Sequence, residues 1–392
     1  NTRVKAGGIM DYYRDTFMEI NLDDLENNIR SFQSHYFQSK EIMAVVKADA
    51  YGHGAVQIAR VLQEQGIRHY AVATLEEAME LRHSGILGCI LLFGHIRVCD
   101  LHLAATYDCT LSINHIDWFK EALAGYVGKP IDVHINVDTG INRLGVPSKE
   151  EFVQLLVLLS QTSHFILKGI YSHLATSEEE NDTYYQLQLR RFASFLDGVD
   201  TTDLWIHIAN SGGSIKEQPS YFNMIRIGLF LHGVSPSDHI KLAFPLKETM
   251  SLFTTVLQIK TLPRGEKISY NGIYMTTDEQ EVIATLPIGY ADGLDRRIEG
   301  GRVFVNGDYG EIIGRVCMDF TIVKLPRIVE VGSIVEIIGP HISMEEYAKK
   351  VKTNTYHAFC AFSDRVVRKY IRHRQVVEIV NKRLNQTCRE DL

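Results

Sequence analysis

Ala44-Val45-Val46-Lys47-Ala48-Asp49-Ala50-Tyr51-Gly52-His53-Gly54 sets one lysine at the end of a short apolar run, beside a tyrosine and two glycines. The run reads as a buried strand that ends by presenting an amine. Three alanines, two valines and no second cation nearby disfavour the ammonium form, which frees a neutral amine for carbonyl chemistry. In isolation such a lysine is more often a surface residue capping a buried strand, because structural lysines far outnumber catalytic ones.

Working outward, apolar and β-branched runs recur between amphipathic stretches. Strands are expected at Ile42–Val46, His69–Ala73, Cys89–Phe93, Cys109–Ile113, Ile131–Val137, Leu167–His173, Leu204–Ala209 and Met224–Gly228. Helices are expected at Leu75–His83, Asp117–Tyr126, Lys149–Leu159 and Asn181–Leu196, with Pro147-Ser148 before Glu150-Glu151 as a start signal. Eight βα units predict an α/β fold, a (β/α)8 TIM-like barrel whose reactive groups project from the C-terminal strand ends. Beyond Pro245 the texture changes to short strands at Thr254–Lys260, Val282–Leu286, Arg302–Val305, Gly310–Val316, Ile334–Ile338 and Val376–Ile379, with Asn306-Gly307-Asp308 as a hairpin turn. The predicted organisation is therefore 1–14 as a linker or remnant, 15–245 as the barrel, 246–380 as a mostly β C-terminal domain and 381–392 as a frayed polar tail. The start at Asn1 rather than methionine suggests a missing N-terminal region.

The chain has 392 residues, 45% of them hydrophobic and 23% charged, enough for one large domain and a smaller one. A net charge of −7 with scattered basic residues offers no face for nucleic acid. Six dispersed cysteines without a CxxC pair indicate neither a zinc site nor a disulfide framework, and no HxH or HExxH occurs, so no metal is expected. Reduced thiols suit a cytoplasmic setting. The most apolar runs, such as Cys89–Phe93, are far shorter than the roughly 20 residues of a membrane span.

Val46 to Gly54 resembles the pyridoxal-phosphate attachment motif of bacterial alanine racemases, and further segments extend the resemblance over residues 16 to 375. They are Asn136-Val137-Asp138-Thr139-Gly140-Ile141-Asn142-Arg143-Leu144-Gly145, His207-Ile208-Ala209-Asn210-Ser211, Phe222-Asn223-Met224-Ile225-Arg226-Ile227-Gly228-Leu229, Ile268-Ser269-Tyr270-Asn271-Gly272, Ile288-Gly289-Tyr290-Ala291-Asp292-Gly293 and Gly314-Arg315-Val316-Cys317-Met318-Asp319. The resemblance implies that Lys47 carries pyridoxal phosphate and that Arg143 meets the cofactor's phenolic oxygen and the substrate carboxylate, as a planar, always-charged fork can. It implies that Arg226 hydrogen-bonds the pyridine nitrogen, keeping the ring a modest electron sink. Phosphate contacts fall to Tyr51, Ser211, the Gly228 backbone and Tyr356. His173 is implied to touch the catalytic tyrosine and His207 to touch Arg226, although a lone histidine is more often structural. Tyr270 is implied as the second catalytic base, reaching the far face of Cα from a neighbouring subunit in a homodimer. The Met318 amide would contact the carboxylate, with Tyr290, Arg296 and Tyr356 around the entryway.

Three positions depart from the family pattern. Many members carry at position 136 a lysine whose carbamate braces the arginine matching Arg143; Asn136 cannot, so a chloride or other anion, or a direct contact from Asn136, is expected there. Asn354 replaces a usual apolar residue and could hydrogen-bond a hydroxyl, which predicts use of serine beside alanine. Asn271 replaces a usual glycine beside Tyr270. With the truncated start, these features resemble the racemase portion of the membrane-anchored serine racemases of vancomycin-resistance clusters. The reading is a racemase of small amino acids that supplies D-alanine and D-serine for peptidoglycan precursors. The rivals are a basic amino-acid decarboxylase of the same fold, which would place an acid where Arg226 stands, and a catalytically silent cofactor-binding module.

Overall fold

A computed structural model describes residues 12–36, 40–384 and 386–389, the last four by their backbone alone. The chain divides into two compact units, Glu26–Leu246, and Asn1–Leu25 together with Lys247–Leu392.

The first unit is the expected barrel. Strand β1 (Phe17–Asn21) precedes it, and the barrel strands follow as β2 (Glu41–Val45), β3 (His69–Val72), β4 (Cys89–Leu92), β5 (Thr110–Ile113), β6 (Ile131–Asn136), β7 (Phe165–Tyr171), β8 (Trp205–His207) and β9 (Met224–Ile227). All eight expected strands are present within two residues of their predicted ends. They pair in parallel in the order β8-β7-β6-β5-β4-β3-β2-β9. β8 and β9 meet through Asn223 N–H to Ile206 O (3.1 Å) and Arg226 N–H to Ala209 O (3.0 Å), which brings the two ends of the sheet together. The start signal read from sequence acts as such, with Ser148 accepting from Glu151 N–H; the structure adds a capping box between Thr74 and Glu77 at the start of helix Leu75–His83. Lys47, Asn136, His173, His207 and Gly228 all lie at or just beyond the C-terminal strand ends, where barrels carry their chemistry.

The second unit holds an eleven-stranded sheet. β1 belongs to it, antiparallel to Met250–Thr255 and parallel to Val367–Arg372. The predicted barrel start at residue 15 is therefore corrected: the barrel unit begins at Glu26. β1 pairs with residues more than two hundred positions away, and no local pattern reports such a partner. The expected strand Thr254–Lys260 is two strands, Met250–Thr255 and Gln258–Pro263, divided at Val256-Leu257. Asn306-Gly307 forms the expected two-residue hairpin, with φ of 49° and 90° and Val305 opposite Asp308. The tail expected to fray at 381–392 instead contributes Gln386–Arg389 as a strand along Gln375–Asn381, with residues 385 and 390–392 outside the described set. Among the described residues no helix is long and apolar enough to cross a membrane.

Candidate active site

In the barrel unit, Lys47 opens a turn in which Ala48, Asp49, Ala50 and Tyr51 all have φ between 50° and 56°. Left-handed backbone costs non-glycine residues about 1–2 kcal/mol each, so four in succession need support from their surroundings. Ala48 N–H donates to Glu77 Oε1 (2.7 Å), Gly54 N–H to Asp49 O (2.9 Å) and Ala55 N–H to Asp49 Oδ1 (2.9 Å). The other oxygen of Glu77 accepts from Ala73 and Thr74 N–H (2.7 and 3.2 Å), so one carboxylate binds the turn to the start of helix Leu75–His83. Strain concentrated this way marks a functional segment.

The turn buries Tyr51 against Gly228, where a Cβ would lie 2.5 Å from the tyrosine oxygen. Only glycine leaves room there. Gly228 N–H donates to Ser211 Oγ (3.2 Å), and Ser211 opens the short turn capped by Asn210. Tyr51, Ser211 and Gly228 are thus brought together.

Arg226 lies buried in the barrel. It donates from Nη1 to His207 Nδ1 (2.6 Å) and from Nη2 to Ser172 O (2.7 Å), Ile208 O (3.1 Å) and His173 Nδ1 (3.2 Å). Its guanidinium also lies 5.3 Å from the Tyr171 ring centre. Among the described residues no carboxylate pairs with it. Burial lowers its pKa to about 10, with Tyr171 opposing and Arg143 adding to the fall. Burial, then the charges of Arg226, Arg143 and Lys47, holds His173 well below its ordinary pKa. The same burial, with Arg226 and His134, depresses His207. The site is therefore electropositive with neutral imidazoles.

Asn136 donates to Asn114 Oδ1 (2.9 Å) and Leu144 O (3.1 Å). The direct contact to Arg143 expected as one alternative is not made: the Asn136 amide is taken up by Asn114 and Leu144, and Arg143 is exposed.

In the β unit, Tyr270 is 65% exposed and stands between Ser269 and Asn271, both at positive φ (64° and 61°). Ser269 Oγ donates to Arg315 O (2.8 Å) and accepts from Arg315 N–H (3.1 Å), which fixes the Tyr270 loop to the segment leading to Met318. Tyr290 N–H donates to Cys317 O and Ala291 N–H to Met318 O, each at 3.0 Å. Gly289 permits that approach, since a Cβ would meet Met318 O at 2.3 Å. Arg296 lies over the Tyr290 ring at 5.7 Å. Asp292, fully buried, holds Gly289 N–H, Arg14 and Arg365, while Ser363 Oγ donates to Ala291 O. These links join the Tyr290 loop to the segment after helix Thr355–Cys360, which carries Tyr356 and is capped by Asn354. Tyr270, Tyr290 and Met318 thus belong to loops braced on one another, and the Tyr290 loop is tied to the segment that follows the helix carrying Tyr356.

Sequence reasoning passed over Glu77, Ser172 and His134. A signal for His134 was present: polar His134 and Asn136 alternate with Val133 and Ile135, the pattern of a strand with one face turned into a barrel.

A parallel barrel with a lysine on a strained strand-end turn, a glycine-lined cradle and a buried acid-free arginine defines a cofactor-dependent barrel enzyme. Residues 20–236 match the family description "Alanine racemase, N-terminal domain" and residues 249–370 "Alanine racemase, C-terminal domain". The chain is 40% identical to an alanine racemase of Geobacillus stearothermophilus over 378 residues, 95% of this chain and 97% of that one. It superposes on the alanine racemase of Bacillus anthracis with bound L-Ala-P (TM-score 0.91, 38% identity, 96% of this chain and 100% of the other) and on that of E. faecalis (TM-score 0.89, 32% identity, 93% and 100%). The chain belongs to the alanine racemase family.

Alanine racemases depend on pyridoxal phosphate. The barrel unit fits it: the Tyr51 hydroxyl, the Ser211 hydroxyl and the Gly228 N–H lie together as neutral donors suited to a phosphate, and among the described residues no acid competes for the Arg226 fork.

Proposed function

We propose that the chain racemises alanine and serine by two-base proton exchange, with Lys47 and Tyr270 acting on opposite faces of Cα. Pyridoxal phosphate, when bound, draws electrons from the substrate and makes its Cα proton removable. Lys47 holds the cofactor and moves the proton on one face. Inverting Cα needs a second group on the other face, and the Tyr270 phenol supplies it. Its 65% exposure, with Ile273, Met275, Tyr290, Met318 and Phe320 also exposed around the β unit, supports burial against a second copy of the chain and hence a homodimer with shared sites.

Tyr51, Ser211, the Gly228 N–H and Tyr356 hold the phosphate, Arg226 the ring nitrogen, and Arg143 and the Met318 amide the substrate carboxylate. His173 positions the tyrosine, and Tyr290 with Arg296 shapes the entry. An anion such as chloride beside Asn136 and Arg143 takes the place of the carbamate, because the Asn136 amide is committed elsewhere. The observation that carries the reading is that, among the described residues, Arg226 bonds to imidazoles and carbonyls and to no carboxylate, which argues against the decarboxylase alternative.

Serine use rests on Asn354. Its Oδ1 accepts from His357 N–H (2.9 Å), leaving the Nδ2 donors for a substrate hydroxyl. Such an enzyme supplies D-amino acids for peptidoglycan precursors and suits a role in vancomycin resistance. Initial racemisation rates of L-alanine and L-serine under identical conditions test this. Both are expected to be measurable, and Asn354→Ile should lower the serine-to-alanine ratio of kcat/KM about fivefold or more. An unchanged ratio removes Asn354 from substrate selection, and no rate on either amino acid removes the racemase reading.

A further inference from the structure

We propose that His134 is a positioning residue which, by accepting a hydrogen bond from His207, fixes the imidazole tautomer that receives Arg226. The proposal deepens the reading that Arg226 serves the cofactor ring, and it follows from donor and acceptor chemistry.

A guanidinium has only donors, so Arg226 Nη1 at 2.6 Å requires His207 Nδ1 to accept. A neutral imidazole that accepts at Nδ1 carries its proton on Nε2. His207 Nε2 lies 2.9 Å from His134 Nδ1, so that proton is donated to His134 and His134 in turn carries its own proton on Nε2. Burial keeps His134 neutral, with its pKa lowered to about 3, and depresses His207 as well. Arg226 Nη1 and His207 Nε2 therefore each meet an acceptor on the next residue of the row, and reversing either imidazole would set N–H against N–H.

The barrel is shaped around this residue. On the adjacent strand β7 a Cβ at Gly169 would lie 2.7 Å from His134 Cε1 and Nδ1, and the pairing of β6 with β7 shifts register between Val133 and His134. Tyr171 stacks parallel on His207 at 5.0 Å and fixes the ring plane. Among the described residues, buried His134 Nε2 has no hydrogen-bond partner. A residue needed only to fill the space would be apolar, since an unpaired buried donor costs stability; the imidazole is retained for its Nδ1.

Neutron diffraction from deuterated crystals of the holoenzyme reads the proton positions directly. Deuterons are expected on Nε2 of both His207 and His134 and on neither Nδ1; a deuteron on Nδ1 of either ring overturns the proposal. Kinetics supply a second arm. His134→Leu, which cannot accept, should lower kcat roughly tenfold, the scale of one lost hydrogen bond, and displace the cofactor's visible absorbance band. His134→Asn, whose side-chain oxygen can take the place of Nδ1, should restore the band and most of kcat. A His134→Leu enzyme with unchanged kcat and band, or a His134→Asn enzyme as impaired as His134→Leu, contradicts it. If His134→Leu does not fold, the wild-type nuclear density decides alone. Proton positions are read without turnover, so absence of racemisation would count against the function above and not against this arrangement.

Discussion

Arg226 donates to His207 Nδ1 at 2.6 Å in the barrel interior, and its remaining hydrogen bonds go to two carbonyls and a second histidine. Among the described residues the cation meets only neutral dipoles, so no carboxylate cancels its charge locally. Burial already lowers its pKa; only a dense set of acceptors keeps such a group charged.

Replacing that fork by a point charge should be costly. Arg226→Lys keeps a positive charge but cannot span His207 and the Ser172 and Ile208 carbonyls together. We expect a loss of about 2–4 kcal/mol in stability from urea midpoints, the scale of two or more broken charge-assisted bonds, and a fall in racemisation. A variant within about 0.5 kcal/mol of the parent, the range of ordinary surface changes, would show that the bonds are incidental.

Glu77 is expected to support the Lys47 turn from outside the site. Glu77→Ala removes the acceptor for the N–H groups of Ala48, Ala73 and Thr74. Capping and charge-assisted bonds together predict a loss of about 2–3 kcal/mol, with faster release of cofactor on dialysis. Thermal unfolding and absorbance after dialysis measure the two effects. Reduced stability with undiminished cofactor retention would confine Glu77 to capping its helix.

How much of this was legible in the sequence depends on the range of the interaction. All eight barrel strands and the Asn306-Gly307 turn were readable because each depends on residues within one element. β1 was not, since its partners Met250–Thr255 and Val367–Arg372 lie at the far end of the chain. The Lys47 motif was readable, but not the left-handed path of Ala48–Tyr51, because alanine gives no signal for positive φ and its support comes from Glu77. The Asn136 departure was correctly singled out, yet its partner Asn114 sits on the loop after a neighbouring strand, a contact that only the barrel creates.

Gly228 should tolerate no side chain while Tyr51 keeps its hydroxyl. Gly228→Ala places a methyl 2.5 Å from that oxygen, and we expect cofactor affinity to fall about tenfold or more, as overpacking of a closed site costs 1–3 kcal/mol. Tyr51→Phe in the same chain should recover part of the packing loss. Absorbance titration of both variants checks this, and additive losses would mean that the two groups do not meet.

Acid should destabilise the barrel through its histidines. His134 has its pKa lowered to about 3 in the folded chain against about 6.5 when unfolded. The unfolded state therefore binds a proton first, and stability falls as pH drops from about 6.5 towards 3, by up to about 1.4 kcal/mol per pH unit for this group. His207 and His173 shift in the same direction. Glu248, raised to about 7 by burial, acts oppositely as pH falls from 7 through the ordinary carboxylate range. In His134→Asn the urea midpoint should fall less steeply between pH 6 and 4; equal slopes would contradict the depressed pKa.

The most direct test of the central claim is reduction of the cofactor-loaded enzyme with borohydride, followed by proteolysis and peptide mapping. The label is expected on Lys47, in the peptide that contains Ala48–Tyr51, and to vanish in Lys47→Ala. A label on any other lysine, or none after full loading, would contradict the assignment of Lys47 as the residue that carries the chemistry.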